Sequence, residues 1–194
     1  MKKFFLSASL GLFLISCSAK SPAHSVSRAQ LLRNPLFAER YGDELSERMT
    51  NIEILHDPLI KDERKKGEID RANAQGVQMG QEASRKRREG TSGDFIPAAE
   101  DVQGQVLYVD NTLYIGSTFF TVPGPDLHLY LTTLVDPRDG TFPDPTSIDL
   151  GQLESPYGLQ SYAVSHQGNP LLLRTAVLWD ASLGRLYGFA QLNK

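Results

Sequence analysis

Cysteine occurs once in this chain, at Cys17, and histidine four times. A single thiol excludes an intramolecular disulfide framework, and donors this few exclude a cysteine–histidine metal site. Basic residues are scarce toward the C-terminus. Residues 94–194 hold four basic side chains against eleven acidic ones, net −7, which excludes the positive face that nucleic acid demands. Aromatics are almost missing from residues 18–93, where only Phe37 and Tyr41 occur, whereas residues 94–194 hold twelve of the seventeen. A core needs aromatic and branched apolar side chains, so the fold belongs to the last hundred residues. No apolar run reaches the roughly 20 residues a spanning helix requires.

The longest such run, residues 4–15, follows Met1-Lys2-Lys3, a short basic segment suited to a signal peptide. It ends in Leu14-Ile15-Ser16-Cys17. This resembles the bacterial lipobox, which implies that residues 1–16 are removed and that Cys17 becomes the acylated first residue. Several acyl chains hold a protein on a membrane where one does not. Ser18 follows rather than Asp, which by the same resemblance directs the protein to the outer membrane of a two-membrane cell envelope.

Residues 18–30 are small and polar without a period, a flexible leash. Asp43 can cap a helix in which Leu45, Met49, Ile52 and Leu55 recur at three- and four-residue steps. Asp57-Pro58 stops it and opens a second, highly charged helix from Leu59 to about Arg88, with Asp62 and Lys66, and Glu82 and Lys86, at supportive spacing. Ile69, Ala72, Gly76, Met79 and Ala83 form a narrow seam, while Gly67, Gly76 and Gly80 each weaken the helix by up to about 1 kcal/mol. A helical or partly disordered spacer fits this stretch; docking on the head or self-pairing is the alternative. The cluster Arg85-Lys86-Arg87-Arg88 suits a solvated helix end.

From residue 94 the pattern is of short strands and turns. Residues 104–110 and 113–115 flank Asn111-Thr112, Pro123-Gly124-Pro125-Asp126 is strong turn punctuation, and residues 127–131 alternate with three leucines inward and His128 and Tyr130 outward. The last two segments, residues 171–179 and 186–192, make a hairpin about Trp179, with Leu186, Gly188, Ala190 and Leu192 expected on one face and Tyr187, Phe189 and Gln191 on the other. Seven or eight such strands predict a mainly β head, an antiparallel β-sandwich or barrel. The chain therefore divides into a signal peptide (1–16), an acylated anchor, tether and spacer (17–93), and a β domain (94–194).

The order Gly104-x-Val106-x-x-Val109-Asp110-Asn111-Thr112-Leu113-x-Ile115, then Gly124-Pro125-Asp126-Leu127-His128-Leu129-Tyr130-Leu131, then Ala176-Val177-Leu178-Trp179 and Tyr187-Gly188-Phe189-Ala190-Gln191-Leu192 resembles the DM-thirteen domain. The resemblance covers about residues 100–192. It implies a β module of a kind found beside DOMON domains and proposed to act in electron transfer. The family places a cysteine directly after this tryptophan; here that position is Asp180, which weakens the redox implication.

Hydrolase chemistry would need Ser165 or Ser182 with His128 or His166, and nothing like a nucleophile elbow surrounds either serine. Asp136, Asp139 and Asp144 lack the spacing of a calcium loop and suit a solvated acidic loop. His128, Tyr130, Trp179 and Asp180 are the candidate ligand or partner surface. Trp179 reads as core, with a ligand platform as the alternative, and Asp180 as a turn-forming acid, with a ligand-facing acid as the alternative. Two functions remain. One is a non-catalytic binding module for an envelope protein or small ligand, with the lipid membrane as partner of Cys17 and no cofactor expected. The other is an electron-transfer module using bound haem or metal.

Overall fold

The computed structural model describes residues 27–165 and 168–194. The signal segment, Cys17 and His166 lie outside the described residues.

Helix α1 (Arg28–Leu31) is a single turn closed by a capping box between Ser27 and Gln30, so the C-terminal end of the expected leash is helical. Helix α2 (Pro35–Ile54) begins eight residues ahead of the expected cap at Asp43. Asn34 caps it by accepting from the Leu36 N–H, and Pro35 occupies the first turn, where its missing N–H costs nothing. Asp57-Pro58 opens only a short 3-10 turn, Pro58–Lys61. Asp62 is the cap of helix α3 (Glu63–Glu89), accepting from the N–H groups of Arg64 and Lys65. No described helix is long and apolar enough to cross a membrane.

The two long helices form an antiparallel hairpin, and their glycines are its seam rather than its weakness. A Cβ on Gly42 would lie 2.6 Å from the Gly80 nitrogen and 2.7 Å from the Gly76 oxygen; one on Gly76 would lie 2.8 Å from the Gly42 oxygen. The backbones meet closely because no side chain intervenes. The anticipated ion pairs are rearranged: Lys66 reaches Glu53 across the hairpin and Asp70 along its helix, and Lys86 reaches Asp110 of the head at 3.0 Å. Arg87 pairs with Glu39 of α2, so two of the four basic side chains of the cluster are paired, one with the head and one within the hairpin.

Among the described residues the head contains ten strands: β1 (Thr91–Pro97), β2 (Val102–Gln103), β3 (Gln105–Val109), β4 (Thr112–Ile115), β5 (Phe120–Thr121), β6 (Leu127–Thr132), β7 (Ile148–Gln152), β8 (Gln160–Ala163), β9 (Thr175–Asp180) and β10 (Arg185–Gln191). Eight of them form one antiparallel sheet in the order β7-β6-β9-β10-β1-β3-β4-β8, curled into a near-closed barrel; β2 and β5 form a separate ribbon. The expected β architecture is thus met in its barrel form. Strand β1 begins three residues ahead of residue 94. Its first half, residues 91–94, pairs with β3, and its second half, residues 95–97, with β10.

Leu127, Leu129 and Leu131 point into the barrel, with Val106, Leu113, Ile115 and Leu178. On the outer face Leu107 and Val109 pack against Leu36 of α2, and Asn34 donates to the Ile115 carbonyl at 2.8 Å. The closing hairpin departs from its expected pattern. Residues 170–172 are a 3-10 turn, β9 starts at Thr175, and a bulge lies between Leu186 and Gly188. The extra residue, Tyr187, turns inward while Leu186 packs outside, so these two exchange their anticipated faces; beyond the bulge Phe189 stays outside and Ala190 and Leu192 inside, as expected. A Cβ at Gly188 would lie 2.8 Å from the Ile96 oxygen, so the bulge sits where two backbones touch.

The glycine seam makes paired predictions. Gly76→Ala should lower stability by about 1–3 kcal/mol, because rigid backbone opposes the added methyl. Gly67→Ala, which meets nothing within 4 Å, should raise it by up to about 1 kcal/mol. Denaturant unfolding of both variants checks this, and equal effects of the same sign would rule out the close helix contact.

Candidate functional site

Alternation along β6 sends His128 and Tyr130 to the outer face, and the antiparallel register sets His128 directly across from Trp179 of β9. Three of the four candidate residues therefore share one patch. The fourth, Asp180, belongs to the opposite parity and points toward the barrel's end, where it is completely buried.

The Asp180 carboxylate is fully engaged. Its Oδ1 accepts from the Leu183 N–H and the Ser182 hydroxyl, each at 2.9 Å, and its Oδ2 accepts from the Asp126 N–H at 3.2 Å. Burial pushes its pKa up, but these donors outweigh burial and hold it below the usual carboxylate value. It is the turn-forming acid of the closing hairpin. It also pins the 123–126 turn, where a Cβ on Gly124 would lie 2.6 Å from Oδ2. Ser182 is occupied by this contact.

His128 stands between two carboxylates. Its Nδ1 lies 3.0 Å from Asp149 of β7 and its Nε2 3.2 Å from Asp126. Both ring nitrogens can donate only in the imidazolium form. Burial alone would lower the pKa, yet the hydrogen bond to Asp149 and the charges of Asp149 and Asp126 carry it above the ordinary histidine value. Tyr130, beside it, has its phenol pushed up by burial and by the same carboxylates.

Trp179 is half-buried in a small outer cluster with Tyr130, Val177 and Phe189. The loop 133–147 folds over this cluster: Phe142 meets Tyr130 edge-on at 5.4 Å and Trp179 at 5.3 Å, and the Arg138 guanidinium sits 4.9 Å over Phe189. The loop is not a loose acidic segment. Asp136 pairs with Arg138, and Asp144 accepts from the hydroxyls of Thr132, Thr146 and Ser147. Burial raises the Asp144 pKa, but these donors dominate and bring it to about 2.

Sequence reasoning missed Asp126, Asp149, Phe142 and Arg138. Asp126 was available, lying two residues before His128 in the turn that leads into β6. Asp149 depends on the β6–β7 pairing, and Phe142 on how the loop folds back; neither has a local signal.

A haem or metal carrier needs free imidazole, thiolate or thioether donors. Among the described residues no three histidine, cysteine or acidic groups converge on a common point. Both nitrogens of His128 and both oxygens of Asp180 are engaged, and Met49 and Met79 belong to the helices. The remaining described histidine, His56, follows α2 outside the head and has no companion donors, so the described residues do not fit such a group.

The fold and site define a small antiparallel barrel, closed by a saturated buried acid and carried on a helical hairpin. The family described as electron transfer DM13 matches residues 94–192, just over half of the chain, and the chain belongs to that family. No curated protein and no solved structure matches it.

The histidine clasp predicts a pH dependence. A pKa raised on folding adds stability that is fully present below the unfolded value, near about 6.5, and is lost as pH rises through the folded value. Stability should therefore fall across that window on the alkaline side of about 6.5, and the step should disappear in His128→Gln. Urea unfolding at a series of pH values measures it; an identical profile in the variant would contradict the clasp.

Proposed function

We propose that this chain is a membrane-anchored lipoprotein of the cell envelope whose DM13 head is a non-catalytic binding or interaction module. Its anchor is Cys17 and its location the outer membrane, as Leu14-Ile15-Ser16-Cys17 followed by Ser18 suggests. The observation that carries the binding reading is Asp180. It stands where the family resemblance places a thiol, and a carboxylate has no disulfide or sulfenic acid chemistry. Its oxygens are committed to the turn beneath the 123–126 loop. The partner surface is the outer face about the half-buried His128 and Trp179, floored by the buried Tyr130, on a head of net −7. It suits an envelope protein or small ligand of complementary charge.

The second reading, electron transfer through a bound haem or metal, is favoured by the family's description. Elemental analysis and voltammetry of the protein from its native membrane separate the two. The binding reading expects no stoichiometric iron or copper and no reversible wave. Stoichiometric metal with a reversible wave would overturn it, and His128 would be the first ligand to substitute.

The anchor has its own test. Fatty-acid labelling should mark the wild-type protein and be absent from Cys17→Ala. Equal label in the variant would remove the lipoprotein reading.

A further inference from the structure

A cleft opens at the end of the barrel where α3 hands over to β1. It has a volume of about 260 Å³, and its wall includes Gly90, Thr91, Tyr108, Asn111, Pro170 and Leu171. Thr91 and Tyr108 are cross-strand partners on β1 and β3, so their side chains stand together on one face. Both are almost fully buried, with Thr91 at 8% exposure and Tyr108 at 3%. The Tyr108 hydroxyl makes one long bond, to Asn111 Oδ1 at 3.3 Å. The Thr91 hydroxyl has no partner, the one buried side-chain oxygen or nitrogen so placed among the described residues.

Buried polar groups in folded proteins are nearly always satisfied, so an orphan beside a cleft points to a group that the cleft receives. A 120° turn about χ1 carries the threonine hydroxyl into the position of its methyl, so the hydroxyl can meet an incoming partner. The rest of the wall sets the character of that partner. Leu171, 53% exposed, and Pro170 supply an apolar rim that no described residue covers. Asp110 at the mouth is neutralised by Lys86, but the Glu89 carboxylate and the C-terminal end of α3 keep the mouth negative, which disfavours an anion. An apolar cavity of about 150 Å³ already accepts benzene, so this volume suits a molecule of one or two rings.

We infer that this end of the barrel is a second binding site, separate from the outer face about Trp179. It takes a neutral or cationic ring-sized amphiphile with one hydrogen-bonding head, the class to which phenols belong. The ring lies against Leu171 and Pro170, and the head meets Thr91 with Tyr108 and Asn111 alongside. The helical hairpin fixes the site, because Gly90 lies against the β3 backbone too closely to admit a side chain.

The test is a titration of the isotope-labelled full chain with phenol, followed by nuclear magnetic resonance, with benzoate as the anionic counterpart. Phenol should shift the Thr91, Tyr108 and Leu171 signals saturably, and benzoate should bind more weakly. Thr91→Val, which keeps the shape and removes the hydroxyl, should weaken phenol about tenfold while leaving the thermal midpoint unchanged or higher. Leu171→Ala, at the exposed rim, should also weaken binding and serves if Thr91→Val does not fold. Shifts elsewhere, no saturation, equal affinity in the variants, or a bound water as the only partner of Thr91 would each overturn the inference.

Discussion

The molecule depends on one strand serving two partners. The first half of β1 hydrogen-bonds to β3 and the second half to β10, so a single segment joins the two halves of the curled sheet. The crossing works because Gly93 lies against the Gln191 backbone more closely than any side chain permits. The same strand continues directly from α3 through Gly90, which is pressed on the backbone of Tyr108. Barrel closure and helix placement are therefore one constraint. Once β1 is set, α3 is aimed, α2 packs along it through the glycine seam, and Leu36 drops onto Leu107 and Val109.

A second layer of order is electrostatic. Asp149, His128 and Asp126 tie the edge strand β7 to β6 and to the 123–126 turn, and that turn gives its Asp126 N–H to Asp180. The charges on the outer face and the buried acid at the barrel's end thus form one connected set. This explains how an acidic head keeps a carboxylate fully buried: every oxygen has a donor, and no cation is needed. It also separates the family's fold from a thiol at this position, since here a carboxylate holds the turn. The polar groups at this end of the head are thus committed to holding the 123–126 turn and the edge strand β7 in place.

Much of this was legible in the residues. The alternation of Leu127, Leu129 and Leu131 against His128 and Tyr130 gave the faces of β6, and turn residues gave the β class. The rest failed for identifiable reasons. Proline at position 35 marks a helix start, but the apolar period that follows is weak, so Asp43 looked like the cap. Glycines in a helix signal cost unless the partner backbone is known, and only the folded hairpin shows that Gly42, Gly76 and Gly80 face one another. The bulge at Tyr187 has no local signature, because its cause is the contact of Gly188 with Ile96. Asp180 was legible as a turn former; its connection through Asp126 to His128 was not, because that link passes between strands distant in sequence.

The central claim is that Asp180 is a structural acid, committed to the hairpin and the 123–126 turn. Its carboxyl carbon can be followed by nuclear magnetic resonance through an acid titration of the intact chain. This account predicts that Asp180 loses its charge below the usual carboxylate range and that this loss coincides with loosening of the Asp126 and Leu183 amides. A titration at or above the ordinary value, with those amides undisturbed, would contradict it and return Asp180 to the role of a free, ligand-facing group.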